Sequence, residues 1–152
     1  MPTKGVVELS QYYEKVAQES GFNVQLGQNQ NIVRWPHFAD TAAGYDKKLR
    51  EYDLDIYKNF YGPFFPQFPQ GTEDELLQGM KDSGIFIGGT VDECIAEWKG
   101  IYEQVPCEYI TLIWHWAQQP KDDMLEELQT FLDKVVPELE VPDFQPVTQA
   151  AE

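Results

Sequence analysis

The apolar positions of the chain fall into a few periodic runs. Between Glu8 and Gly21, residues Leu9, Tyr12, Tyr13, Val16 and Ala17 recur at helical spacing, and Gly21 supplies the stop. "FNVQLGQNQNIVRW", Phe22 to Trp35, reads as extended stretches on either side of a Gly/Asn/Gln break. Next, Tyr45, Leu49, Tyr52, Ile56 and Phe60 follow at intervals of four, three, four and four. That stripe predicts a helix capped by Asp40 or Thr41 and closed by Gly62-Pro63. Residues 62–71, "GPFFPQFPQG", place proline at every third position, which excludes a helix or a central strand. Such a run is a loop whose aromatics pack on the parent domain, or a proline-rich ligand. Thr72-Glu73-Asp74-Glu75 is a capping box that opens a short helix ending near Ser83.

The second half alternates: strand 84–88, helix 91–104, strand 108–114, helix 120–136. Ile95, Trp98, Ile101, Tyr102 and Val105 mark the apolar face of the first helix. Leu125, Leu128, Leu132, Val135 and Val136 mark that of the second, with Pro120 and Pro137 at its ends. "EYITLIW" is a near-continuous apolar run, the pattern of a strand covered on both faces. This order implies parallel strands with right-handed crossovers. Three strands make too small a sheet to stand alone, so the chain reads as part of something larger.

Composition narrows the function classes. A chain of 152 residues suffices for one domain with a core, and 14% aromatic content argues for packing rather than disorder. The net charge of −15 disfavours nucleic acid and anionic membranes as partners. No run has transmembrane length and "MPTKGVVELS" lacks a signal-peptide core, so a cytoplasmic protein is expected. Cys94 and Cys107 form no metal or redox spacing and read as buried free thiols. No nucleophile–base pair, carboxylate–histidine metal spacing or dinucleotide fingerprint is present.

One motif is ambiguous. In "GIFIGGTVDECIAEW" the apolar Ile85-Phe86-Ile87 breaks at Gly88-Gly89 into a helix starting at Thr90. Two glycines before a helix N-terminus are how many proteins cradle a phosphate. Yet Thr90-Val91-Asp92-Glu93 is a capping box whose carboxylates occupy the dipole and repel an anion. The reading is a structural corner.

The order of "GIFIGGTVDECIAEWKGIYE", "CEYITLIWHWA" and "DDMLEELQTFLDKVVPEL", preceded by "NIVRWPHFADTAAGY", resembles the C-terminal end of the bacterial luciferase-like flavin monooxygenases. The resemblance spans about residues 5–140. It rests on order and spacing, and Val91 stands where the family usually has proline. It implies an α/β fold, the last three or so units of a (β/α)8 TIM barrel over residues 1–140, with 141–152 a loose tail. A full barrel takes roughly 250 residues, so the first four or five units, which supply much of the flavin pocket in the family, are not in this sequence. The implied function is a portion of a monooxygenase acting with reduced FMN, or a deazaflavin, and O2 on a small organic substrate. The isolated chain is expected to be inactive. The alternative is a non-catalytic relative that binds flavin or a partner. Implied partners are a small-molecule substrate and either a second copy of the chain or a complementing N-terminal barrel chain.

In such a barrel the site lies at the carboxyl ends of the strands. "IWHWAQ" sits at one, which makes His115 the catalytic candidate, able to move a proton near neutral pH. Trp114 and Trp116 are candidates to wall the flavin ring. In "VRWPHF", Arg34 is a candidate for a phosphate or carboxylate, with His37 beside it. Asn29, and with it Asn31, offers amide donors to flavin edges, although turn chemistry explains both equally well.

Overall fold

The computed structural model describes residues 1–64, 71–115 and 118–149. Most of the proline-rich run, and Trp116, lie outside the described residues. The chain folds as α1 (Thr3–Glu19), β1 (Asn31–Phe38), a helical run α2 (residues 42–64), α3 (Glu73–Asp82), β2 (Phe86–Gly89), α4 (Val91–Tyr102), β3 (Tyr109–Leu112) and a helical run α5 (residues 121–138). The two capping boxes form as the sequence requires, Thr72 with Glu75 and Thr90 with Glu93.

The sheet has three parallel strands in the order β2-β1-β3. Eight-residue β1 serves two short partners. Its first half, Asn31 to Arg34, pairs with Tyr109 to Leu112, and its second half, Trp35 to Phe38, with Phe86 to Gly89. The parallel sense is as expected; the order is not that of consecutive barrel units. In a barrel each crossover steps the same way and every helix lies outside. Here the chain steps from β1 to β2, then back past β1 to β3, and right-handed crossovers in opposite directions put their helices on opposite faces.

The packing shows this division. Ile32, Ile87, Trp98, Ile101, Phe131 and Val135 form one core, shared by α4 and α5. Tyr45, Leu49, Leu54, Tyr57, Leu76, Leu77, Met80 and Phe86 form a second under α2 and α3, with Trp35 packed against it. Along β1, Ile32 and Arg34 therefore face the first core, and Trp35 and His37 the second, by strand alternation.

Three expectations change. β3 is an edge strand rather than doubly buried, with Tyr109 54% exposed. The α1 residues Leu9, Tyr12, Tyr13 and Val16 face outward, and the helix packs through Val6, Val7 and Ser10 instead. Helix α2 runs past Gly62-Pro63 to Phe64. Pro63 follows a π turn at Tyr57–Tyr61, where the i−4 ladder that a proline interrupts has already given way to i−5 bonds.

π turns also reset which residues face inward. Both long helical runs carry them: Leu49–Asp53 and Tyr57–Tyr61 in α2, and Phe131–Val135 in α5. With more residues per turn, the inward face follows a strict i+4 spacing. In α2 it reads Tyr45, Leu49, Asp53, Tyr57, all buried, while Phe60 of the predicted stripe is exposed. In α5 it reads Glu127, Phe131, Val135, whereas the predicted Leu125, Leu132 and Val136 lie outside. Asp53 is thereby carried inward, and Glu127, in the regular α-helical part of α5, is buried as well.

Candidate functional site

The carboxyl ends of the strands meet at a buried polar network. His37, the penultimate residue of β1, lies between Asp53 of α2 and Glu127 of α5. Its Nε2 is 2.6 Å from Asp53 Oδ2 and its Nδ1 is 3.1 Å from Glu127 Oε2. His115, just past β3, brings Nδ1 to 2.6 Å from Asp53 Oδ1. The Trp35 indole Nε1–H donates to His115 Nε2 at 3.2 Å. Asp53 is fully buried, and His37 nearly so.

Donor roles follow from this geometry. Trp35 can only donate, so His115 Nε2 must carry a lone pair, which puts the His115 proton on Nδ1, pointing at Asp53. His37 faces a carboxylate at each nitrogen, so both nitrogens donate and the ring is an imidazolium. Burial alone would lower its pKa, but hydrogen bonds to Asp53 and Glu127 outweigh that and raise it to about 9. Burial would raise Glu127, yet His37, Lys48 and Gln119 hold it down at about 2. Asp53 is lowered too: burial opposes ionisation, and hydrogen bonds from His115 and His37 prevail.

Glu127 anchors the far side. It accepts from Lys48 Nζ at 2.6 Å, Gln119 Nε2 at 2.7 Å, Trp114 Nε1 at 2.9 Å and the Phe38 backbone N–H at 3.2 Å. Lys48 also bonds the Phe38 carbonyl at 2.6 Å. Two carboxylates and two cations, His37 and Lys48, balance within the network, which is how a buried cluster of charge remains tolerable. Aromatic rings surround His115: Trp35 at 6.5 Å and Tyr61 at 6.4 Å between centroids, with Phe86 against Trp35 at 5.6 Å. Beside the network lies a cavity of about 580 Å³, lined among others by Phe38, Asp40, Lys48, Asp123, Glu127 and Lys134.

The glycine pair is a corner. A Cβ at Gly88 would stand 2.0 Å from the Tyr45 ring and 2.6 Å from the His37 carbonyl oxygen, so the space is filled by packing. Gly89 takes φ +125°, and the Glu93 carboxylate accepts from the Thr90 N–H at 2.8 Å, ahead of any anion.

Of the sequence candidates, His115 and Trp114 join this network, and His37 proves central to it. Arg34 and Asn29 do not. Arg34 faces the other side of the sheet, bonded to Thr3 and the Met1 carbonyl. Asn29 is a turn residue at φ +56° before β1, its N–H donating to Glu108. Asn31 bonds Thr111 across the β1–β3 pair. Asp53 and Glu127 escaped the sequence reading, and the available signal was the i+4 recurrence of Tyr45, Leu49, Asp53 and Tyr57.

No protein-family profile matches the chain, and no curated protein does. A solved structure does match. The oxygenating constituent of 3,6-diketocamphane monooxygenase from the CAM plasmid of Pseudomonas putida, a type II Baeyer–Villiger monooxygenase in complex with FMN, superposes with a TM-score of 0.72. The superposition covers 93% of this chain and 42% of that one, at 15% identity. The chain thus has the fold of part of an FMN-bound monooxygenase. At that identity the likeness concerns fold alone.

Described residues suit one part of a flavin better than the other. Trp35 and Tyr61 set two aromatic rings beside His115, edge to face with each other at 90°. The adjoining cavity carries Asp40, Asp123, Glu126 and Glu127 against two lysines, one already bonded to Glu127, and so offers poor ground for a phosphate. No helix among the described residues is long and apolar enough to cross a membrane, and no group of three or more His, Cys, Asp or Glu that could hold a metal occurs among them.

Proposed function

We propose that this chain derives from the C-terminal portion of a luciferase-like (β/α)8 flavin monooxygenase, with its strands rearranged to the order β2-β1-β3, and that its strand-end network walls the pocket for the flavin ring and a small organic substrate. The observation that carries this reading is the buried relay Trp35–His115–Asp53–His37–Glu127 at the carboxyl ends of the strands, where barrels keep their chemistry. The fold likeness to an FMN-bound monooxygenase supports it. Reduced FMN, when bound, supplies the electrons that activate O2; a deazaflavin presents a similar flat ring to the same wall.

The chain's own residues then have distinct tasks. Asp53 fixes the Nδ1–H tautomer of His115, which leaves Nε2 as the atom able to take a proton once the Trp35 indole gives way. His37 stays charged and holds Asp53 ionised. Trp114 spends its N–H on Glu127 and so positions that carboxylate. The phosphate and the remaining walls fall to the portion of the barrel outside this chain. Completion of the barrel would take place at the open β3 edge, beside exposed Leu125, Leu132 and Val136, with a second copy or an N-terminal barrel chain as the partner.

One observation favours the non-catalytic alternative: both ring nitrogens of His115 are engaged, with 9% of the residue exposed. Steady-state kinetics of His115→Ala in an assembled, flavin-competent protein separates the two. The catalytic reading expects a loss of at least tenfold in saturated rate, within the roughly 10²–10⁴-fold range of general acid–base help. Unchanged turnover would leave the binding module.

A further inference from the structure

The most deeply buried guanidinium of the chain lacks an anionic partner. Arg34 is 1% exposed, in the middle of β1, on the sheet face opposite His37. Its hydrogen bonds reach neutral oxygens: the Val33 carbonyl at 2.8 Å, Thr3 Oγ1 at 3.0 Å and the Met1 carbonyl at 3.3 Å. Its Nε has no partner. Among the described residues no carboxylate forms an ion pair with it, in a chain with 26 acidic residues against 11 basic ones. Burial lowers its pKa to about 10, with Glu97 and Cys107 opposing this only through space. A buried cation held by neutral acceptors alone is an expensive arrangement for a fold to keep.

Arg34 lines a cavity of about 460 Å³ together with Val6, Leu9, Tyr13, Asn29 and Val33. Most of that lining is hydrocarbon or aromatic, and it lies on the side of the molecule away from the histidine network. We propose that this cavity binds an apolar carboxylic acid, its carboxylate on the Arg34 guanidinium and its hydrocarbon body along Val6, Leu9 and Tyr13. A planar carboxylate matches the fork geometry of arginine. The largely apolar walls suit an anion that carries a hydrocarbon tail. The site is independent of the flavin reading and survives its failure.

The test is calorimetric titration of the 152-residue chain with octanoate, beside octanamide, which keeps the shape and lacks the charge. Octanoate is expected to bind saturably, and octanamide at least tenfold more weakly. Arg34→Gln should lose octanoate binding by tenfold or more. Leu9→Glu alters a residue 55% exposed at the rim, so it should leave the melting temperature alone yet weaken octanoate comparably, which keeps the test decisive should Arg34→Gln fail to fold. Absence of saturable octanoate binding, equal binding of octanamide, or undiminished affinity in Leu9→Glu would each overturn the proposal.

Discussion

Asp53 holds both histidines of the chain: His37 Nε2 and His115 Nδ1 each lie 2.6 Å from a different oxygen of its carboxylate. One side chain thus sets the charge of the first ring and the tautomer of the second. Replacing it by asparagine leaves a single acceptor oxygen for two N–H donors, and leaves the His37 imidazolium with one carboxylate. Breaking a buried ion pair in this way typically costs about 3–5 kcal/mol. Asp53→Asn should lower stability by that order in urea unfolding, and should bring the His37 pKa down from about 9. A loss below about 1 kcal/mol would mean the network is solvated.

Stability should carry a pH signature of two opposite signs. The folded-state pKa of His37, about 9, lies above its ordinary 6.5, so its contribution is complete below about pH 6.5 and lost as pH rises through 9. Glu127 is displaced the other way, to about 2 from 4.5, so its contribution is present above about pH 4.5 and lost as pH falls through 2. The urea midpoint of the chain should therefore be highest between these limits. His37→Gln should abolish the decline between pH 6.5 and 9; its persistence would assign that decline elsewhere.

At the corner, Thr90→Ala should cost about 1 kcal/mol through the lost cap and leave flavin affinity unchanged. Gly88→Ala should cost about 1–3 kcal/mol by overpacking against Tyr45. Paired melting curves and FMN titrations check both, and a drop in flavin affinity without loss of stability would restore the phosphate cradle.

These sites show where periodicity speaks and where it falls silent. The alternation of strand and helix after Gly84, the parallel sense and the two capping boxes were legible because each is a local pattern. The inward faces of α2 and α5 were not, because an i, i+3, i+4 template is blind to π turns. It assigned Phe60, Leu125 and Leu132 to the inside and left Asp53 and Glu127 on the surface. His115 was found from its place after a strand, but its partner Asp53 is 62 residues away and joined to it by packing alone. The strand order depends on β1 being long enough to serve two partners, which no window of sequence reveals.

The open edge at β3 and the exposed Leu125, Leu132 and Val136 predict association. Sedimentation at micromolar concentration should show species larger than 17.6 kDa. Leu132→Lys, at a residue 50% exposed, should shift the distribution toward the monomer without lowering the melting temperature. A compact monomer at all concentrations would count against a completing partner on this edge.

The central claim is that the histidine relay walls a flavin pocket. With two histidines in the chain, long-range proton–nitrogen correlation spectra of the imidazoles resolve each ring. At pH 7 the account predicts His37 protonated on both nitrogens, and it places the His115 Nδ1–H on Asp53. On titration with FMN, His115 Nε2 and the Trp35 indole should shift saturably together, while the Arg34 Nε–H stays in place. Saturating FMN that leaves His115 and Trp35 unmoved would contradict the account.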